Sequence, residues 1–190
     1  ARDYDEFSEE TRVKDLVLTK SLAKLQEDED LGRLRTTTLP PSGKVTRNFE
    51  GITVDVFNKI YSYGARSFSV WKTNGAQVFD SGDDFERITA DVLGEDHFNA
   101  NNDETPSGDS RSDDKGPEPE GVAIGEIGGR QYAFIGLERV GGIMIYDVTN
   151  PKKPTFCNYA RDTRNLSAEF DEDDLTEFPI AGDLGPEGIE

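Results

Sequence analysis

The sequence predicts an all-β fold: part of a β-propeller, built of β-meander blades and carrying long acidic loops. Two runs of short strands echo each other along the chain, as IYSYGARSFSVWKTNGAQVFDSG and QYAFIGLERVGGIMIYDVTNPKKPTFCNY. A Pro-Glu-Gly step opens the second run, in GPEPEGVAIG, and recurs in LGPEGIE near the end. Asn74-Gly75 separates two apolar-polar alternating stretches, and that dipeptide between β runs is a hairpin signal because both residues tolerate positive φ. A β-meander that repeats with unequal insertions is the sequence habit of propellers, whose blades use ~40–50 residues and number at least four. The expected organisation is a polar N-terminal segment over 1–30 and an incomplete propeller over 31–190. Blades fall near 59–82 and 122–160, and a further blade begins near 184.

Taken in order, residues 1–15 are polar and acidic. Leu16, Leu18, Leu22 and Leu25 are loosely spaced as on one helical face and precede the acidic run Glu27 to Asp30, which predicts a short helix or a strand with a helical turn. Leu34 to Leu39 is rich in threonine and reads as a strand ended by Pro40-Pro41-Ser42-Gly43. From Lys59, alternation around Ile60, Phe68, Val70 and Val78, broken at Gly64 and Asn74-Gly75, predicts three short strands. Asp83 to Pro119 is rich in Asp, Asn, Ser and Gly and reads as a long loop, since such a stretch buries too little apolar surface to pack alone. Strands follow at Val122-Ala123-Ile124, Tyr132–Leu137, Ile143–Val148 and Thr155–Tyr159. Arg161 to Asp183 is a second polar insertion. The chain opens without an initiator methionine or a leader-like apolar run and closes on what reads as a new strand, so both ends are expected to be interior points of a longer polypeptide.

Of 190 residues, 39 are acidic and 21 basic, a net charge of −18, and 34% are hydrophobic. Such an acidic surface repels phosphate backbones and anionic bilayers, which counts against nucleic-acid binding, and no uncharged stretch is long enough to insert into a membrane. With one cysteine, Cys157, and one histidine, His97, the chain holds no internal disulfide and no Cys/His zinc site. A metal here would be held by oxygen, which points to calcium or magnesium.

The segments DSGDDFERITA (80–90), SRSDDKGPEPEGVAIGEIGGRQYAFIGLERVGGIMIYDVTNPKKPTF (110–156) and GDLGPEGI (182–189) resemble the choice-of-anchor I family of large secreted proteins. The resemblance runs from about Leu31 onward. It implies a propeller, secretion and anchoring at a cell surface or matrix. A looser similarity to β-propeller phytases rests on Glu120-Gly121 and Glu138, positions where such acids would face a central channel and hold calcium and phosphate. The phytase motifs flanking those positions are not readable here, and SGKVTRNFEGITVDVF replaces an expected Asp-rich run.

The candidate metal ligands are Asp113, Asp114, Glu118 and Glu120 of SDDKGPEPEG, Glu138, and Glu187, which repeats the position of Glu120. Prolines stiffen such a loop so that carboxylates converge on a hard cation, although the same composition also makes an ordinary acidic loop. Asp80, Asp83, Asp84 and Glu86 lack calcium-loop order and read as a solvated turn. Arg66 and Arg139, after equivalent Gly breaks, are candidates for anion binding, with Arg130 a third. The alternative is pairing with the abundant carboxylates, which the acidic composition favours. His97 has no motif partner, and no GxSxG, Walker or HExxH pattern occurs. Trp71 is expected in blade core. Asn165-Leu166-Ser167 is an N-glycosylation sequon, meaningful in a eukaryotic secreted protein. The functional expectation is a calcium-binding module of a secreted cell-surface or matrix protein, partnered by the rest of its own polypeptide or by other chains. The alternative is a metal-dependent phosphoesterase that uses Glu120, Glu138 and Glu187.

Overall fold

The computed structural model describes residues 3–4, 7–64, 66–101, 104–161, 165–168, 182, 185–186 and 188–189. Among the described residues the chain is mostly β with one α-helix, and it divides into two compact units, Ala1–Gly64 and Ala65–Glu190. No helix among the described residues is long and apolar enough to cross a membrane.

In the first unit, β1 (Asp3–Tyr4) pairs with β2 (Phe7–Ser8), and β3 (Glu10–Arg12) pairs antiparallel with β4 (Arg35–Thr37). The helical spacing of leucines resolves into two single 3₁₀ turns, Val13–Asp15 and Ala23–Gln26. Its small core is Val13, Leu16 and Phe57. Buried Thr36 belongs with them because its hydroxyl donates to the Tyr61 carbonyl at 2.8 Å. A hairpin absent from the sequence reading follows: β5 (Lys44–Phe49) and β6 (Ile52–Phe57) joined by Glu50-Gly51. Both turn residues have positive φ, 51° and 89°, the geometry whose twist matches paired strands. Ile60 lies in no strand, so among the described residues the predicted three-strand run near 59–82 contains two strands and a single bridge at Ser62.

The second unit opens with β7 (Ser69–Trp71) and β8 (Gln77–Asp80), the hairpin that Asn74-Gly75 announces. Gly75 sits at φ 82° and its N–H donates to the Lys72 carbonyl at 2.9 Å. Asp83 to Pro119 is not loop throughout. It begins with α1 (Asp84–Leu93), whose first turn carries Asp84 and Glu86 at the positive end of the helix dipole and whose last residue is followed by Gly94 at φ 72°. Buried Phe85, Thr89 and Leu93, with half-buried Ile88, recur at helical spacing.

The main sheet is a four-stranded antiparallel meander of β9 (Pro119–Ile127), β10 (Arg130–Leu137), β11 (Ile143–Asp147) and β12 (Thr155–Ala160), each strand paired to its sequence neighbour. The pairing Ala133↔Tyr146, Ile135↔Met144 and Met144↔Tyr159 places one set of side chains on one face, where all are buried with Leu137 and Val140 against Phe85 and Leu93. Phe68 meets Tyr146 edge-on with ring centroids 4.9 Å apart, and Phe85 meets it at 6.0 Å. Burying one such ring contributes roughly 1.5–3 kcal/mol. The Tyr146 hydroxyl donates to Asp84 Oδ2 at 3.2 Å, and burial, reinforced by the Asp84 charge, pushes its pKa well up.

The opposite face is apolar too, and half-buried: Ala123, Phe134, Ile143 and Ile145. Here Gly121 and Gly136 admit the later segment closely. A Cβ on Gly136 would stand 2.9 Å from Pro186 Cγ, and one on Gly121 would stand 3.4 Å from Gly188 Cα. Pro186, Gly188 and Ile189 therefore lie close against Gly121 and Gly136, near the first Pro-Glu-Gly step at the start of β9. Trp71 is 57% exposed, which corrects its expected place in the core; the neighbouring ring that enters the core is Phe68.

Candidate metal centre

A β-bulge at the entry to β9 builds the site. Ile135 lies opposite Val122 but Leu137 lies opposite Pro119, so Glu120 and Gly121 together face the single residue Gly136. Such an insertion bends the strand and re-aims a side chain. One step further, the Glu138 N–H donates to the Glu118 carbonyl at 2.9 Å, and Glu118 holds a φ of 50° after Gly116 at 64°. The result is convergence: carboxylate oxygens of Glu118, Glu120 and Glu138 all lie within 4.8 Å of one another. Glu118 is buried, Glu138 nearly so, and Glu120 open to solvent.

Three cations neutralise part of this charge. Arg111 Nη2 donates to Glu118 Oε1 at 2.8 Å and to Asp114 Oδ2 at 2.9 Å, Arg139 Nε reaches Glu118 Oε1 at 3.2 Å, and Lys115 pairs with Glu118 Oε2. Arg139 Nη2 also stands 3.4 Å from Glu138. Burial pushes the Glu118 carboxyl up, but Lys115 and Arg111 outweigh it and hold the group below the usual glutamate range. Glu138 goes the other way. Its burial raises it, Arg139 opposes this, and the charges of Glu118 and Glu120 raise it again, so it ends above the usual range. Four carboxylates (Asp114, Glu118, Glu120, Glu138) face three cations (Arg111, Lys115, Arg139), and the excess negative charge rests on the Glu120–Glu138 side.

A cation fits that imbalance. Glu120 and Glu138 retain oxygens for it, whereas both Glu118 oxygens already hold cationic partners, so carbonyls and water would complete a calcium shell of six to eight oxygens. Among the predicted ligands, Glu118, Glu120 and Glu138 come together. Asp114 is tied to the group through Arg111, Asp113 is not part of the three-carboxylate group, and Glu187 lies outside the described residues. Arg66 is held by Glu86 at 2.6 Å and by the Ser112 and Asp114 carbonyls, and Arg139 by Glu118 and Glu138. Both guanidiniums proposed for anion binding thus serve carboxylates, as does Arg130 on Asp147. His97 Nδ1 lies 3.3 Å from the Thr105 hydroxyl. Arg111 went unread in the sequence, although its spacing of three residues before Asp114 and seven before Glu118 was visible.

The β meander and its bulge-built acidic centre are features of a chain that belongs to the choice-of-anchor I family, whose domain matches residues 1–151. Among curated proteins it is similar to Gigasin-3a of Magallana gigas, 35% identical over 132 residues that cover 67% of this chain and 43% of that protein. It is also similar to the mesenchyme-specific cell surface glycoprotein of Strongylocentrotus purpuratus, 26% identical over 158 residues, 75% of this chain and 20% of that protein. The chain therefore spans less than half the length of these curated relatives. No solved structure matches it.

Proposed function

We propose that this chain is an extracellular, calcium-binding β-propeller module of a cell-surface or matrix protein, with a structural or adhesive role. The observation that carries the reading is the convergence of Glu118, Glu120 and Glu138 at the bulged start of β9. Support for the propeller comes from the meander β9–β12, apolar on both faces, with the layer of Phe68 and Phe85 on one side and Pro186 and Ile189 on the other. A blade inside a ring is covered in that way, and further β structure, from the same polypeptide or another chain, completes the ring. The surface location draws on the family and on the relative named a cell surface glycoprotein. Asn165 is exposed, with its Oδ1 accepting the Ser167 N–H at 3.2 Å, and fits a glycan in that setting. Calorimetric titration of calcium into the wild-type chain and into Glu120→Gln tests the site. The wild type should bind in the ~10⁻⁴–10⁻³ M range of extracellular modules, and the variant at least about tenfold more weakly. No heat at millimolar calcium, or equal binding by the variant, refutes it.

A second reading is a metal-dependent phosphoesterase, favoured by Arg139 standing beside the metal-capable cluster. A bound metal would supply an activated water as nucleophile. Hydrolysis of a generic phosphomonoester, abolished by chelator and by Glu120→Gln, supports this reading; hydrolysis that survives both excludes these residues as its ligands.

A further inference from the structure

An apolar groove of about 460 Å³ runs between β7 and β9, outside the acidic centre except at one end. Phe68, Val70 and Trp71 line one wall, Val122 and Ile124 the other, and Ala133 and Ile135 the floor. Trp71, Val122 and Ile124 are 57%, 61% and 62% exposed, a large apolar surface for so acidic a chain. Both walls are edge strands: β7 pairs only with β8, and β9 only with β10, among the described residues. A long edge strand with exposed apolar side chains is a template for another strand, and natural edges are commonly guarded by lysine, proline or inward charge. On β9, exposed Glu126 follows Val122 and Ile124 on their own face, and exposed Glu120 lines the other end of the groove.

We propose that this groove receives an extended segment of a basic partner protein, which places apolar side chains between Trp71 and Val122/Ile124 and Lys or Arg beside Glu120 and Glu126. Charge complementarity selects that occupant. A second copy would bring another chain of net charge −18 to an acidic rim, and an acidic strand would set like charges opposite one another. Strand addition to an exposed edge, with backbone hydrogen bonds for affinity and alternate side chains for specificity, is a recurrent recognition mode. The proposal does not depend on the calcium reading.

Trp71 is the only tryptophan in the chain, so its fluorescence reports the groove. The intact chain, with chelator present, is titrated with the short synthetic peptide Lys-Ser-Val-Ser-Val-Ser-Lys, whose Lys and Val share one face of an extended strand, and with its counterpart in which Glu replaces Lys. The basic peptide is expected to shift Trp71 emission to the blue, saturably, with affinity that weakens as salt rises. The acidic peptide should have no effect. Ile124→Lys, at a solvent-exposed position, should retain the wild-type circular dichroism and lose at least about tenfold in peptide affinity, the scale of 1.4 kcal/mol. Equal response to both peptides, an unchanged affinity in Ile124→Lys, or a Trp71 shift that follows protein concentration without peptide would overturn the proposal. The last of these outcomes would make a second copy the occupant.

Discussion

Glu138→Gln should stabilise the protein in chelator and yet abolish most of its response to calcium. In the metal-free protein the ionised Glu138 is disfavoured, first by burial and then by Glu118 and Glu120, and its folded pKa lies above the unfolded value. A group raised in this way contributes stability that is fully present below the unfolded pKa, near 4.3, and is lost as pH rises through the folded pKa. At neutral pH a neutral isostere removes that loss. Calcium reverses the balance. With both Glu118 oxygens already held by cations, the proposed calcium site offers few free donors, and the expected dissociation constant is on the order of 0.5 mM, within the range of extracellular calcium modules. About 10 mM calcium then stabilises the wild type by RT ln 21, about 1.8 kcal/mol. For a chain of this size that raises Tm by roughly 4–7 °C. A tenfold loss of affinity leaves a gain under about 3 °C. Thermal unfolding by circular dichroism, in chelator and in calcium, reads both effects. A variant that melts lower in chelator, or keeps the full calcium shift, refutes the electrostatic account of the site.

The calcium shift in Tm should shrink as pH falls from neutral through the raised Glu138 pKa, because metal and proton compete for that carboxylate; melting curves with and without calcium across that range check it. Glu118 has the opposite linkage. Its lowered pKa gives stability present above the unfolded value and lost as pH falls through the folded one, so Lys115→Met should flatten the acid limb of the pH–stability curve. Tyr146→Ala should cost about 3–5 kcal/mol in denaturant unfolding, because it empties the centre of the ring cluster, whereas Tyr146→Phe should cost only about 0.5–1.5 kcal/mol for the bond to Asp84. Gly136→Ala, whose Cβ would meet Pro186, should destabilise by roughly 1–3 kcal/mol and raise amide exchange at residues 188–189.

The strands of the main sheet were legible because nothing competes with their pattern. Tyr132–Leu137 and Ile143–Val148 are apolar runs bounded by Gly and by Asn150-Pro151, and the observed ends differ from the reading by one or two residues. Helix α1 is hidden by its setting: its apolar residues are only a few among Asp, Glu and Arg, and the acidity that marks a helix N-terminus also suits a solvated loop. The β5–β6 hairpin was missed for a related reason, since Arg47 interrupts the apolar alternation and Glu50-Gly51 is a less recognisable turn than Asn74-Gly75. Within the site, the repeated Pro-Glu-Gly step exposed Glu120, but the bulge that joins it to Glu138 is a matter of register, which depends on both strands at once. Arg111 escaped because its importance lies in the two carboxylates it bridges, and neither contact follows from spacing alone.

The sequential pairing of β9 through β12 also has a kinetic side. Each strand meets the one just before it, so closing each hairpin brings together residues that are near in sequence, and low sequence separation speeds formation. During synthesis the β7–β8 hairpin, with Phe68 just before it, emerges ahead of the main sheet and is at hand when Ala133, Ile135 and Tyr146 appear. The other face, with Phe134, Ile143 and Ile145, receives its cover from Pro186 and Ile189, which follow β12 in the chain. A chain released through β12 but not yet through Ile189 therefore holds its sheet with one apolar side bare, and that interval is when the nascent chain is most prone to aggregate.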